Sequence, residues 1–109
     1  MSREEILSSI KELEHIQDLK DYKFGLAGSS ARGDSGKLSD LDIVVNSDGM
    51  TMPLMNLIKS HFKNQTVDVL CLGLLKKEDK ELDSFLLENG LPANESVYKT
   101  INKEVIWVE

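Results

Sequence analysis

The residues that could do chemistry lie in two apolar stretches of the chain. Asp40 and Asp42 stand at the head of a predicted strand, and because strand side chains alternate, both point to the same face. Asp68 is the sole charge in the apolar stretch TVDVLCLG. Like charges this close oppose folding unless a cation lies between them. Three carboxylates with no histidine or cysteine among them form a hard oxygen site, which favours Mg²⁺ or Mn²⁺ over zinc.

Each aspartate also has an ordinary explanation when it is taken alone. Asp40 follows a serine and suits a turn, while Asp42 and Asp68 suit the charged positions of edge strands. These explanations leave three carboxylates on otherwise apolar strands without a common cause. We therefore interpret the three aspartates as one metal-binding group.

A glycine-serine turn precedes the first aspartate by ten residues. Gly28 permits a sharp turn and lets a phosphate come close to the backbone. Ser29 adds a hydroxyl and an amide donor at a predicted helix N-terminus, where partial positive charge favours an anion. Arg32 follows one helical turn later and can reach the same anion. Gly28, Ser29 and Arg32 are therefore predicted to bind the phosphates of a nucleotide.

The elements that must position these residues alternate between helix and strand. Helical spacing predicts helices over 2–20, 53–62, 76–88 and 94–101, and a very short one near 30–32. Alternating or apolar runs predict strands over 22–27, 40–46, 66–73 and 105–108. We therefore predict an α+β (α/β) fold, a small sheet with helices packed mainly on one face.

The chain is short and acidic. Its 109 residues predict one domain, residues 1–109, and its net charge of −6 makes a nucleic-acid partner unlikely, since phosphate contacts need a basic face. The single cysteine, Cys71, lies in an apolar run, which predicts a buried side chain and a reducing compartment. No signal peptide or membrane-spanning stretch is recognisable, so we expect a cytoplasmic protein without a membrane partner.

The motif GS, ten residues, DLD and a later VDVL resembles that of the minimal nucleotidyltransferase family. These proteins are the smallest members of the DNA polymerase β-like nucleotidyltransferase superfamily. The resemblance covers residues 22–72 closely and residues 101–108 loosely. It implies a polymerase β-like palm built on a mixed β-sheet.

The resemblance also implies a site and a reaction. Asp40, Asp42 and Asp68 would hold two divalent ions and be the catalytic residues, while Gly28 and Ser29 would hold the triphosphate of ATP. Two metal ions about 3.5–4 Å apart can stabilise the attacking and the leaving oxygen of an in-line displacement. The expected activity is Mg²⁺-dependent nucleotidyl transfer.

The acceptor is left open between three hypotheses. Members of the resembled family are commonly paired with a HEPN-type toxin, and some transfer AMP to it. The leading hypothesis is therefore an antitoxin that adenylylates a hydroxyl of its partner protein. The first alternative is an antitoxin that neutralises its partner by binding alone. The second is nucleotidyl transfer to a small molecule such as an aminoglycoside.

Overall fold

A four-stranded β-sheet with α-helices on its faces forms the core of the protein. The computed structural model describes residues 3–28, 31, 40–62, 65–92 and 97–108. The helices are α1 (Arg3–Glu12), α2 (Met52–His61), α3 (Leu72–Glu88) and α4 (Val97–Glu104). The strands are β1 (Phe24–Ala27), β2 (Leu41–Val45), β3 (Val67–Cys71) and β4 (Ile106–Trp107). Among these helices, none combines the length and the apolar character that crossing a bilayer requires. The predicted α+β class is confirmed.

The sheet is mixed, with the strand order β3-β2-β1-β4. Strands β2 and β3 are parallel, and β1 is antiparallel to both β2 and β4. The C-terminal end of β1 therefore lies beside the N-terminal ends of β2 and β3. The residues that begin β2 and β3 meet the turn after β1 at this edge of the sheet.

The larger hydrophobic core lies on one face of the sheet, under α1 and α2. Alternate strand residues point into it, for example Phe24 and Leu26 of β1. The fully or largely buried members are Ile6, Ile10, Leu13, Leu19, Phe24, Leu26, Ala31, Leu41, Ile43, Val45, Ile58, Phe62, Val67 and Val108. Helix α1 contributes Ile6 and Ile10, which are four residues apart and so share one face of the helix.

A smaller core lies on the opposite face, under the start of α3 and under α4. Its buried members are Ala27, Val44 and Ile101, and half-buried apolar residues including Trp107 pack around them. A Cβ at Gly25 would lie 2.6 Å from Cγ2 of Val105 and 3.1 Å from Cε3 of Trp107. This face of β1 carries only glycine and alanine because the C-terminal segment packs directly against it.

The first helix is shorter than predicted. It ends at Glu12, not near residue 20, and two 3₁₀ turns follow, one on each side of Ile16. Ile16 has an extended backbone conformation, with φ −79° and ψ 124°. In one continuous helix, Leu13 and Leu19 would point to different sides, because six residues correspond to about 600° of rotation. The extended residue between the two turns allows both leucines to be fully buried.

The third strand is also shorter than predicted, and the helix after it begins earlier. Strand β3 ends at Cys71, the last residue paired with β2, and α3 starts at the next residue instead of at residue 76. The N–H of Gly73 donates to the carbonyl of Ser47 at 2.9 Å, which turns the chain away from the sheet. A Cβ at Gly73 would collide with the carboxylate of Asp48, so this turn requires glycine.

The predicted end of α3 at Asn89-Gly90 is confirmed. Gly90 has φ +67°, the left-handed conformation that favours glycine after a helix. Its N–H donates to the carbonyl of Leu87 at 3.2 Å, and the N–H of Leu91 donates to that of Leu86 at 2.9 Å. These two bonds satisfy carbonyls that the end of a helix leaves without intrahelical partners.

Candidate active site

Gly28 contacts the side chain of Asp42. It follows β1 directly and has φ +71°, a conformation that residues with a Cβ rarely adopt. A Cβ at this position would collide with Oδ2 of Asp42 and would lie 3.2 Å from its Cγ. The carboxylate thus packs against the bare backbone of Gly28. The structure brings the glycine of the turn and the second aspartate of the DLD motif into direct contact.

Asp42 and Asp68 are register partners on the neighbouring parallel strands β2 and β3. Neighbouring strands lie about 4.8 Å apart, and residues in register point to the same face. Val67 and Val69 point into the larger core, so Asp68 points to the opposite face. Asp42 is half-buried and Asp68 is exposed. Two carboxylates therefore lie side by side next to Gly28, at the rim of the smaller core.

Asp40 lies at the periphery of this pair. It precedes β2 and is exposed, and the next residue is fixed to the neighbouring chain by a 2.9 Å hydrogen bond from the Leu41 N–H to the carbonyl of Thr66. Within the described ranges, no three His, Cys, Asp or Glu side chains are grouped closely enough to hold a metal ion. The strand register brings together two of the three predicted ligands, Asp42 and Asp68. Asp40 does not join them in a group of three that could hold a metal ion.

A pair of adjacent carboxylates fits a magnesium ion that a nucleotide completes. Mg²⁺ is usually held by one or two carboxylates together with waters and substrate phosphates, and not by an all-protein cage. Asp42 and Asp68 supply hard oxygen donors beside Gly28, where the Asp42 carboxylate occupies the space that a side chain would fill. The donor set is consistent with a divalent cation bound together with a triphosphate.

Two of the predicted phosphate-binding residues, Ser29 and Arg32, lie outside the described residues, as does most of the short helix predicted near them. Between them, Ala31 is buried in the larger core. Its carbonyl accepts a hydrogen bond of 3.2 Å from Nη1 of Arg3 on α1. The chain therefore returns to the core three residues after Gly28.

Cys71 and His61, which could serve as a nucleophile or a base elsewhere, lie away from the aspartates. Cys71 is buried at the far end of β3, where strand alternation puts it on the face opposite Asp68, and burial raises the pKa of its thiol. His61 Nε2 lies 3.0 Å from the carbonyl of Ser9 and 3.2 Å from a carboxylate oxygen of Glu12. Cys71 is a small buried side chain, as predicted. His61 connects α2 to α1 through its contacts with Ser9 and Glu12.

A cavity beside α4 was not predicted from the sequence. It has a volume of about 290 Å³ and is lined by Lys99, Thr100, Lys103 and Glu104. The sequence signal was present, since two lysines four residues apart share one side of a helix. Its position relative to the aspartates depends on how β4 pairs with β1, which the spacing along the chain does not reveal.

Carboxylates beside a glycine turn, at one edge of a mixed sheet, suit an enzyme that transfers a phosphate-bearing group with divalent metal ions. Comparison with known protein families matches residues 4–93 to the nucleotidyltransferase domain. The chain belongs to this family, which confirms the predicted superfamily and makes nucleotidyl transfer its reaction class. Members typically use a nucleoside triphosphate and divalent metal ions. A comparison with curated proteins found no match.

Proposed function

We propose that this protein is a Mg²⁺-dependent adenylyltransferase that transfers AMP from ATP to a hydroxyl group of a partner protein. The partner we propose is a HEPN-type toxin, for which this chain would be the antitoxin. The observation that carries the catalytic part is the contact of Gly28 with Asp42, which is itself in register with Asp68. The choice of ATP and of the toxin rests on the resemblance to minimal nucleotidyltransferases.

The proposed reaction is an in-line displacement at the α-phosphorus of ATP. The acceptor oxygen forms a bond to this phosphorus, the bond to the oxygen bridging the α- and β-phosphorus breaks, and pyrophosphate leaves. Divalent ions, when bound by the aspartates, would neutralise the charge that develops on the attacking and leaving oxygens. Asp68 is exposed, so an incoming hydroxyl can reach it and pass its proton to this carboxylate or to water. Gly28 leaves room for the Asp42 carboxylate, and Asp42 and Asp68 would supply oxygen ligands to the metal ions.

A protein acceptor is supported by the surface of α3. Leu82 and Phe85, which are three residues apart and therefore adjacent on the helix, are 41% and 56% exposed. Leu91, just past the end of the helix, is 51% exposed. Grouped apolar side chains in contact with water are typical of protein-binding surfaces. The net charge of −6 disfavours a nucleic-acid acceptor.

Calorimetric titration with ATP, with and without Mg²⁺, tests the nucleotide site. We expect metal-dependent binding by the wild type and at least tenfold weaker binding by Asp42→Asn and Asp68→Asn, since one metal ligand contributes about 1.4 kcal/mol or more. Asp21→Asn is the matched control, because Asp21 is an exposed aspartate before β1, at the opposite end of that strand. Asp68→Asn and Asp21→Asn should unfold at or above the wild-type temperature, since each removes an exposed charge from an acidic chain.

Intact mass measurement of the co-purified partner, before and after addition of ATP and Mg²⁺, tests the acceptor. A gain of one AMP that depends on Asp42 supports protein adenylylation. A stable complex without this gain, from a chain that binds ATP, favours an antitoxin that acts by binding. Nucleotidyl transfer to an aminoglycoside without any partner would favour a small-molecule acceptor. Absence of ATP binding by a folded wild type would refute the enzymatic proposal.

A further inference from the structure

We propose that the open edge of β3 binds an extended segment of the partner protein, which adds to the sheet as a further strand and presents a hydroxyl group to Asp68. This proposal rests on the proposed function and deepens it, because it names the conformation in which the acceptor is bound. It depends on three observations: the outer side of β3 is unpaired, Asp68 lies on this strand, and exposed apolar side chains of α3 lie on the same side of the molecule.

Strand β3 is at one edge of the sheet, and its outer side is open. In the order β3-β2-β1-β4, β3 pairs with β2 alone. The N–H of Leu41 on β2 donates to the carbonyl of Thr66, so the backbone groups of Thr66 and of every second residue after it face β2. Those of Val69 therefore face outwards, and no hydrogen bond joins them to any other residue that the structure describes. Such groups bind another extended chain, whose N–H and C=O groups have the same spacing.

The side chains of β3 are also less covered than those of its neighbour. Val69 and Leu70 are the register partners of Ile43 and Val44 on β2. Both residues of β2 are fully buried, whereas Val69 and Leu70 are half-buried, although one packs on the larger core and the other on the smaller. Lysine, proline and bulges, which protect many edge strands, are absent from β3, and its one charge is the proposed metal ligand Asp68. A strand added to this edge would cover both half-buried side chains.

The strand order decides from which side the acceptor hydroxyl enters. Asp42 is in register with Ala27 on one side and with Asp68 on the other, so the turn at Gly28, Asp42 and Asp68 follow one another across the sheet. An added strand would lie next in this row. Its residue in register with Asp68 would be about 4.8 Å away and would point to the same face. A serine, threonine or tyrosine at that position would bring its hydroxyl to Asp68 from the side opposite Gly28, and its proton can pass to this carboxylate or to water.

Exposed apolar side chains of α3 lie on the same side of the molecule as this edge. Leu74 and Phe85, 43% and 56% exposed, are eleven residues apart, which places them within about 20° of each other around the helix. Asp83, which pairs with Lys99 of α4 at 3.1 Å, is about 180° around the helix from Leu74. Helix α4 packs over β1 and β2 through Ile101, whereas α3 begins at the end of β3. The flank of α3 away from α4 is therefore on the side of the open edge, and a protein bound to this flank lies next to β3.

Substitution of Val69 tests the proposal, with AMP transfer to the co-purified HEPN-type partner and calorimetric binding of ATP as the two readouts. Val69→Pro removes the outward N–H, and an edge strand tolerates proline when the missing N–H faces away from the neighbouring strand. At a limiting concentration of the partner, AMP transfer should fall about tenfold or more, while the affinity for ATP and Mg²⁺ stays within about twofold. Val69→Ala is the matched control, because it also shortens the side chain but keeps the N–H, and it should transfer AMP within about threefold of the wild-type rate.

Amide hydrogen exchange of the wild-type chain, followed by NMR, gives a second measurement that needs no variant. In the free chain, the N–H of Val69 should exchange faster than those of Asp68 and Leu70, which face β2. Saturation with the partner should slow exchange at Val69 about tenfold or more. This measurement decides the matter if Val69→Pro does not fold or loses ATP binding.

The possible results separate this proposal from the proposed function. AMP transfer by Val69→Pro at the rate of Val69→Ala, or exchange at Val69 that is unchanged in the complex, would overturn the pairing with β3 and leave the proposed function standing. A dimer of the free chain that Val69→Pro dissociates would show that a second copy occupies this edge, and would also overturn the proposal. A wild-type chain that binds ATP but transfers AMP to no protein would instead refute the proposed protein acceptor, and this proposal with it.

Discussion

Gly28→Ala is the most informative single substitution in the candidate site. Two separable effects are expected. The left-handed conformation, with φ +71°, destabilises alanine by about 1–2 kcal/mol. The new methyl group would also collide with Oδ2 of Asp42, and overpacking of this kind destabilises a protein by about 1–3 kcal/mol. The free energy of unfolding should therefore fall by about 2–5 kcal/mol in total.

Gly90 provides a control for the backbone effect alone. Its φ of +67° is nearly the same, but a Cβ there would meet no atom within 4 Å. Gly90→Ala should therefore lower the free energy of unfolding by only about 1–2 kcal/mol. Urea denaturation, followed by the fluorescence of the single tryptophan, Trp107, measures both variants.

A double-mutant cycle with Asp42→Ala isolates the collision. This substitution removes the carboxylate and leaves only the Cβ of residue 42, at an ordinary 3.6 Å from the new methyl group. In the Asp42→Ala background, Gly28→Ala should be no more destabilising than Gly90→Ala, which gives a coupling energy of about 1–3 kcal/mol. If Gly28→Ala has the same effect in both backgrounds, Gly28 does not contact the Asp42 carboxylate and the proposed site loses its main support.

Two further predictions concern buried polar groups away from the site. Asp79 is only 7% exposed, and its Oδ1 has no hydrogen-bond partner among the described residues. In the same urea assay, Lys99→Met should lower the free energy of unfolding by about 1–2 kcal/mol, while Asp79→Leu should be neutral or stabilising. The opposite order would show that the Asp79 carboxylate has enough polar partners to compensate for its burial. Burial raises the pKa of Cys71, so the folded state favours the neutral thiol. The stability that this neutral thiol contributes should be fully present below the ordinary pKa of 9.0 and should decrease as the pH rises above it. Denaturation at several alkaline pH values should show a smaller decrease for Cys71→Ala, and identical pH profiles would contradict this assignment.

The sequence predicted the positions of the strands better than the lengths of the helices. The strands were found because alternation and apolar runs depend only on neighbouring residues, as in β2 and β3. The first helix was predicted too long, because nothing local distinguishes Leu13 and Leu19 from a continuing helical stripe. The start of α3 was predicted too late, because it depends on the contact of Gly73 with Ser47 and Asp48 across the turn after β2.

The sequence by itself determined the residue types of the candidate site and their spacing: carboxylates on apolar strands, and a glycine that precedes them. Residue types and strand alternation are local properties, so they can be read without the fold. Only the tertiary structure decided which of these residues meet. The antiparallel pairing of β1 with β2 sets Gly28 against Asp42, and the parallel pairing of β2 with β3 sets Asp42 beside Asp68. The pairing of β4 with β1 sets Trp107 beside Gly25 from far along the chain, because strand register is fixed by the packing of whole faces and not by the distance between residues in the sequence.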